Sequence, residues 1–488
     1  MRKNRNSLFI LLFVVFTSAC ATGKVEAPSA LYDRPEKINS PLLSFELPKV
    51  ETWELSNGLK VVYLFDNELP IVKGSLFLPG GSLYEDLADR GVSQALGSIL
   101  RNGGVKGYRP EELDKKLDNM AAHIESAYGD EYGSINFSSL SEDFPELFSL
   151  VTKVIFEPSF DEQRLGLWKT HALESIRRRK DSPEVMGTMA FAKLIYGNNT
   201  PFSESPTVGT INKINKNLIL KYYRNFVRPN GAWLIISGAI EKEKAKKMVE
   251  EKFSSWQQNQ TPLAALPKLD FVAKPGVYVL NRDFEQSFVL MGHEGPPRLT
   301  PDIYQMSIYN RILGTGGFGS LLFDQIRTKL GLAYDVNGGL APGIVKGSLV
   351  LNMGTRNEEV AKAVNKAIEI LKDTIKNVPS ESNFTDAKSS VQNSFVFKFD
   401  DKDIVQQRYV LQRLQGYPLE YDSTYLEKIN LVTPDMVREV GKRWVKPESL
   451  ITVIVGKVNP QEIAKEFPGI SVYTLDFDTE PKILNKVQ

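Results

Sequence analysis

The sequence predicts an α+β fold built twice: two homologous domains, each with a sheet and helices packed on it. Three observations predict it. Residues 211 to 238, INKINKNLILKYYRNFVRPNGAWLIISG, align without a gap on residues 429 to 456, INLVTPDMVREVGKRWVKPESLITVIVG, at a constant offset of 218. Ile211 meets Ile429, Asn212 meets Asn430, Phe226 meets Trp444, Pro229 meets Pro447 and Gly238 meets Gly456. Stretches with the two-residue period of strands alternate with stretches of helical period, and a chain of 488 residues is too long for a single core. Two domains of this kind can face each other across a cleft, which is where ligands are commonly held.

The first domain is expected over 48–256. Glu51 to Leu55 and Leu59 to Leu64 flank Ser56-Asn57-Gly58, and Asn-Gly between alternating runs is a strong hairpin signal. Ile71 to Leu78 reads as a third strand closed by Pro79-Gly80-Gly81. A helix follows from Arg90 to Arg101, with Val92, Ala95, Leu96, Ile99 and Leu100 on one face, and then a helix from Pro110 to Ala121, where the proline suits a first turn. A strand pair lies between Ala122 and Ser139. Further helices are expected at 142–154, 161–180, 185–194 and 217–226, a strand at 232–237 and a helix at 242–253. Pro262, Pro267 and Pro275 mark a linker over 257–275, and the second domain covers 276–480.

Charge excludes little but does exclude something. Lys plus Arg total 60 and Asp plus Glu 59, so no basic surplus points to nucleic acid. The N-terminus is more informative. Arg2, Lys3 and Arg5 precede an apolar run from Leu8 to Phe16, and Thr17-Ser18-Ala19-Cys20 ends it. This pattern resembles the lipobox of bacterial lipoproteins, so 1–19 is expected to be a signal peptide, Cys20 a lipidated residue and 20–47 a flexible tether. A plain secretory signal cut near Ala19 or Ala21 is the alternative. Cys20 is the only cysteine, which leaves no intramolecular disulfide. Loss of the three leader cations moves the formal charge from +1 to −2, still too small to steer a partner. No later stretch reaches about 18 uninterrupted apolar residues, so the body is expected to be held by its lipid, and Ala21 after the cysteine fits outer-membrane sorting toward the periplasm.

The stretch LLFDQIRTKLGLAYDV, Leu321 to Val336, reads as an amphipathic helix stopped by Gly331 and followed by a strand. That corner can turn Arg327 and Tyr334 toward one place. Gly314, Gly316, Gly317 and Gly319 before it read as a tightly turning loop, and no strand precedes or lysine follows them as a phosphate cradle requires.

With QIRTKLGLAYDV, the upstream run HEGPPRLTPDIYQMSIYNRILGTGGFGSLLF and the duplicated domain, the chain resembles the insulinase or pitrilysin-type zinc metallopeptidases, in their processing-peptidase-like branch. The resemblance spans about 45 to 480. It implies a duplicated LuxS/processing-peptidase-like fold with mixed, mainly antiparallel sheets, and halves that pair into a clam-shell around an unfolded peptide. It also implies an inverted zinc motif, H-x-x-E-H, on the first long helix. Here that motif falls on Gly91-Val-Ser-Gln94-Ala-Leu-Gly97-Ser98, so both histidine positions and the general-base glutamate are lost. Zinc needs three or four N, S or carboxylate donors, and an amide, a hydroxyl and a glycine do not supply them. Glu174 stands at the spacing of the third ligand but cannot retain zinc alone, and beside Arg177 to Lys180 it reads as an ion-paired helical residue. His123, His171 and His293, the only histidines, complete no triad with it.

The second-domain motif is intact. By resemblance, Arg327 and Tyr334 act at the zinc site of a partner: Arg327 holding a substrate carbonyl or carboxylate, Tyr334 donating to the oxyanion. The expectation is therefore a subunit that binds no cofactor itself and is active only with an H-x-x-E-H partner that carries zinc, in a heterodimer acting on peptides. A non-catalytic scaffold or peptide-binding protein of the cell envelope is the alternative, and an autonomous peptidase with unusual ligands the third reading.

Overall fold

A computed structural model describes residues 49 to 487. Cys20, the leader over 1–19 and the tether over 20–47 lie outside the described residues. The first half runs β1 (Glu51–Glu54), β2 (Lys60–Phe65), β3 (Ile71–Pro79), α1 (Val92–Asn102), α2 (Pro110–Asn119), β4 (His123–Tyr128), β5 (Tyr132–Leu140), α3 (Phe144–Phe156), α4 (Glu162–Arg178), α5 (Pro183–Tyr196), α6 (Val208–Lys213), α7 (Lys216–Phe226), β6 (Trp233–Gly238) and α8 (Lys242–Phe253). The second half runs β7 (Gly276–Asn281), β8 (Gln286–Gly295), α9 (Ile303–Asn310), two π-helical segments (Arg311–Thr315 and Phe323–Lys329), β9 (Ala333–Ala341), β10 (Gly347–Arg356), α10 (Val360–Lys376), α11 (Glu381–Val396), α12 (Lys402–Leu414), α13 (Tyr425–Asn430), α14 (Pro434–Trp444), β11 (Ile451–Gly456), α15 (Pro460–Glu466), β12 (Val472–Phe477) and β13 (Pro481–Lys486).

The first sheet has the order β1-β2-β6-β3-β5-β4 and the second β13-β12-β7-β11-β8-β10-β9. Five strands correspond in order, β2-β6-β3-β5-β4 with β7-β11-β8-β10-β9. In each half the corresponding pair, β2 with β6 and β7 with β11, is parallel and the next strands on the far side are antiparallel, while in the second sheet β12 adds a second parallel pairing with β7. The chain thus has a two-domain α+β fold with mixed sheets and packed helices. The offset of 218 reaches further than the sequence alignment. Lys216–Phe226 returns as Pro434–Trp444 and Trp233–Gly238 as Ile451–Gly456, while the C-terminal ends of α4 and α5 return as those of α11 and α12.

One face of each sheet packs on its own half's helices and forms a separate core. The opposite face is covered by the other half. Met186, Ala190, Phe191 and Leu194 of α5 pack on Leu290, Ile451 and Val453 of the second sheet. Val410 of α12, with Tyr409 and Leu414 beside it, packs on Val62, Phe77 and Ile235 of the first. Each apolar sheet face therefore needs a helix from the opposite half, and burial of roughly ten large apolar side chains at about 1.5–3 kcal/mol each ties the halves together. Between Phe253 and Gly276 there is no helix or strand, yet the segment is fastened, since Arg228 donates to the Thr261 carbonyl and Asn230 exchanges hydrogen bonds with Asn259.

Candidate functional site

Each half has a corner where a helix meets a strand: α1 packed on β4, with α2 between them in the chain, and the π-helical segment Phe323–Lys329 leading directly into β9. In the first, α1 is seated on β4. Its N-terminus is capped by Glu85, which accepts from the backbone N–H of Gly91 at 3.0 Å and of Ser93 at 2.6 Å. Arg90 lies 3.6 Å from that carboxylate and donates to the carbonyls of Glu204, Pro201 and Ser82, which ties the β3–α1 connection to the α5–α6 connection. Both groups are buried. Burial pushes the Glu85 carboxyl above its usual range, against the hydrogen bonds from Ser93 and Gly91 and the charge of Arg90 that pull it down.

Ala95, Leu96, Ile99 and Leu100 face the core, so Gln94 and Ser98 are turned outward. Gln94 is exposed at the wall of a cavity of about 440 Å3 between the halves, which Arg298 and Glu131 cross with a paired, two-pronged salt bridge. Gly97 faces inward. A β-carbon there would stand 2.5 Å from the Tyr128 nitrogen and 2.8 Å from the Ala127 carbonyl carbon, and the Ser126 hydroxyl donates to the Gly97 carbonyl. Glycine is what lets helix and strand approach this closely. Glu174 is engaged elsewhere: Arg178 donates to it at 2.8 Å, Arg177 lies 3.7 Å away, and the Arg178 hydrogen bond holds its carboxyl below the usual range.

These residues do not fit zinc. The donors are an amide, a hydroxyl and a carboxylate already paired, and among the described residues no three His, Cys, Asp or Glu side chains gather to hold a metal. The histidines stay apart. His123 is exposed on β4 against Glu125, His171 is exposed on α4, and His293 is buried on β8, where its Nε2 accepts from the Lys446 N–H at 2.9 Å.

The second corner is open. The helix predicted from Leu321 is π-helical over Phe323–Lys329, with Phe323 and Ile326 buried beneath it. Gly331, at φ +61°, reverses the chain, and the Leu332 N–H reaches the Ile326 carbonyl at 2.9 Å, a closure one residue longer than the usual α-helical glycine cap. The Leu332 carbonyl accepts from the Thr355 hydroxyl at 2.6 Å, anchoring the turn to β10. Tyr334 then lies on β9 with 76% of its surface exposed. The Arg327 guanidinium carbon is 4.5 Å from the centre of the Phe323 ring and 5.1 Å from that of Tyr334. Among the described residues, neither the guanidinium nor the Tyr334 hydroxyl has a hydrogen-bond or ion-pair partner, so the donors of both are available to a ligand.

The glycine-rich run is a tight turn, as expected from sequence, at Gly316, Gly317 and Gly319 but not at Gly314. Gly314 lies in the π-helical segment Arg311–Thr315, where a β-carbon would meet the Gly338 oxygen at 2.5 Å, and Gly317–Gly319 form one 3-10 turn. Sequence reasoning missed Phe323. Its place four residues before Arg327 puts the two side chains on one helical face, and that was the available signal. It also missed the Glu85 and Arg90 pair, which depends on loops more than 100 residues away.

Residues 60–200 match the family described as insulinase (peptidase family M16), and residues 213–391 match the peptidase M16 inactive domain. An uncharacterized zinc protease of Rickettsia bellii is 24% identical over 351 residues, 70% of this chain and 82% of that protein. A non-peptidase homolog, YmxG, of Helicobacter pylori is 22% identical over 410 residues, 81% of this chain and 91% of that one. Among solved structures, the peptidase M16 inactive domain from Pseudomonas fluorescens superposes with a TM-score of 0.76 at 22% identity, covering 84% of this chain and 98% of that one. A protease from Helicobacter pylori superposes with a TM-score of 0.72 at 17% identity, covering 84% and 100%.

Proposed function

The chain belongs to the insulinase family, peptidase family M16, and from that membership we propose that it is the zinc-less subunit of a two-chain peptidase, lending Arg327 and Tyr334 to a partner that carries H-x-x-E-H. One observation carries the reading: Arg327 is held between two aromatic rings with its donors unengaged among the described residues, at an otherwise exposed corner. A half-desolvated guanidinium without an acceptor is suited to a carboxylate or carbonyl brought by another molecule. Tyr334 beside it donates to the oxyanion formed at the partner's site, where zinc is expected in the partner alone. The substrate is a peptide, and Cys20 tethers the chain by lipid to the cell envelope, with the outer membrane facing the periplasm as its place.

The test is reconstitution. The pair, copurified from membranes, cleaves peptides; zinc analysis finds the metal in the partner and not in this chain. Arg327→Ala and Tyr334→Phe each lower kcat/KM by roughly 10- to 1000-fold, as loss of one preorganised donor does. Full activity in the double variant, or stoichiometric zinc and peptidase activity in this chain alone, overturns the proposal. The competing reading, a peptide-holding scaffold, draws support from the seating of α1 on β4 and from the non-peptidase designation of the Helicobacter pylori relative. It predicts that both substitutions are silent.

A further inference from the structure

Resting on the reading of Arg327 as a substrate-binding residue, we infer that Phe323 is its positioning residue: the ring on which the guanidinium lies sets the direction in which the donor fork points. A free arginine side chain samples many rotamers, and a fork that must meet a carboxylate from one side gains by having that freedom removed beforehand. Arg327 makes no hydrogen bond or ion pair among the described residues that could orient it, so the rings are what remains.

Of the two rings, Phe323 is the fixed one. It is 8% exposed, whereas Tyr334 is 76% exposed and free to turn. Phe318 meets the same ring with centroids 4.6 Å apart and planes at 66°, but it is itself 80% exposed, so the fixity of Phe323 comes from its own burial. Positions 323 and 327 lie four residues apart on the π-helical segment, on neighbouring parts of its surface, and the guanidinium carbon stands 4.5 Å from the centre of the Phe323 ring.

The experiment uses the full chain and three variants, Phe323→Leu, Phe323→Tyr and Arg327→Lys, with arginine labelled selectively in 15N. Arg327→Lys identifies the Arg327 Nε–H resonance by its loss. In the unaltered chain that resonance is expected upfield of the exposed arginines, from the ring current, and with slow solvent exchange. Phe323→Leu moves it to the position of the exposed arginines, and Phe323→Tyr, which keeps the ring face, leaves it in place. In the reconstituted pair, Phe323→Leu raises KM for peptide by roughly 3- to 10-fold, the scale of one cation–π contact, with kcat kept, and Phe323→Tyr restores it. An Arg327 resonance unmoved by Phe323→Leu overturns the inference. So does an unchanged KM in Phe323→Leu when Arg327→Ala is itself impaired. If Arg327→Ala is silent in the pair, the proposed function fails, and the resonance alone then decides the role of Phe323.

Discussion

Two corners of helix and strand, α1 packed on β4 in one half and Phe323–Lys329 leading into β9 in the other, put their residues to opposite uses. At the first, a helix and a strand touch backbone to backbone through Gly97, and a buried carboxylate and guanidinium lock the entrance to that helix. At the second, a π-helical turn and a strand hold an arginine and a tyrosine at the surface with their polar ends unengaged among the described residues. The first corner spends its polar groups on itself. The difference teaches that position 97 is set by backbone contact, since a side chain there would meet the Tyr128 nitrogen and the Ala127 carbonyl carbon.

The lock can be broken at Arg90. Arg90→Ala leaves Glu85 buried without its counter-charge, which costs roughly 3–5 kcal/mol at neutral pH, measured by chemical denaturation. Glu85 has a raised folded-state value, so it takes up a proton on folding and its burial costs least at low pH. The Arg90→Ala deficit should therefore shrink as pH falls toward the ordinary carboxylate range, and Glu85→Gln in the same background should recover part of it at pH 7. A deficit under about 1 kcal/mol, or one that grows in acid, would show that the pair is not what holds α1.

The closed contact itself comes next. Gly97→Ala should cost about 1–3 kcal/mol, since the new carbon meets backbone atoms that cannot rotate aside. The triple change Gln94→His, Gly97→Glu, Ser98→His should lose stability and gain no stoichiometric zinc. Gly319→Ala is the control at the open corner: nothing lies within 4 Å of the added carbon, and the change should stay within about 0.5 kcal/mol. A zinc-loaded, stable triple variant would erase the contrast between the corners.

Much of this was legible in the residues. Ser56-Asn57-Gly58 marked its hairpin, with Gly58 at φ +85°, and the offset of 218 marked a repeat whose helices and strands recur at that spacing. Arg327 and Tyr334 could be paired because Gly331 signals a helix stop in any context. What could not be read depends on distant partners. Nothing local says that the apolar face of α5 belongs to the second sheet and that of α12 to the first. The run Gly314 to Gly319 looked like a loop because glycine opposes helix locally, whereas Gly314 is needed for close approach to Gly338, which pairing of β9 brings in. Resemblance set Gly97 at the place of a general-base glutamate, but its contact was not legible, since only the register of β4 shows what its hydrogen faces.

The smallest effect separates the halves by their response to acid. His293, in the second half, is buried with Nδ1 against the Glu294 carbonyl and Nε2 accepting from the Lys446 N–H. Burial, ahead of the opposing hydrogen bond to Glu294, holds its imidazole below the usual 6.5. A group depressed in the folded state contributes stability that is present above the unfolded value and is lost as pH falls from about 6.5 toward the folded one, because a second ring proton would confront the Lys446 N–H. Glu85 has the opposite sign. Acidification from pH 7 to 5 should therefore loosen the junction of α14 with β11 before it loosens α1, seen as faster amide exchange at Lys446 with a fall of about one or two degrees in Tm. His293→Gln, which keeps an acceptor and does not titrate, should flatten that slope. If exchange at α1 rises first, or if His293→Gln leaves the slope unchanged, α1 is not more acid-resistant than the junction of α14 with β11.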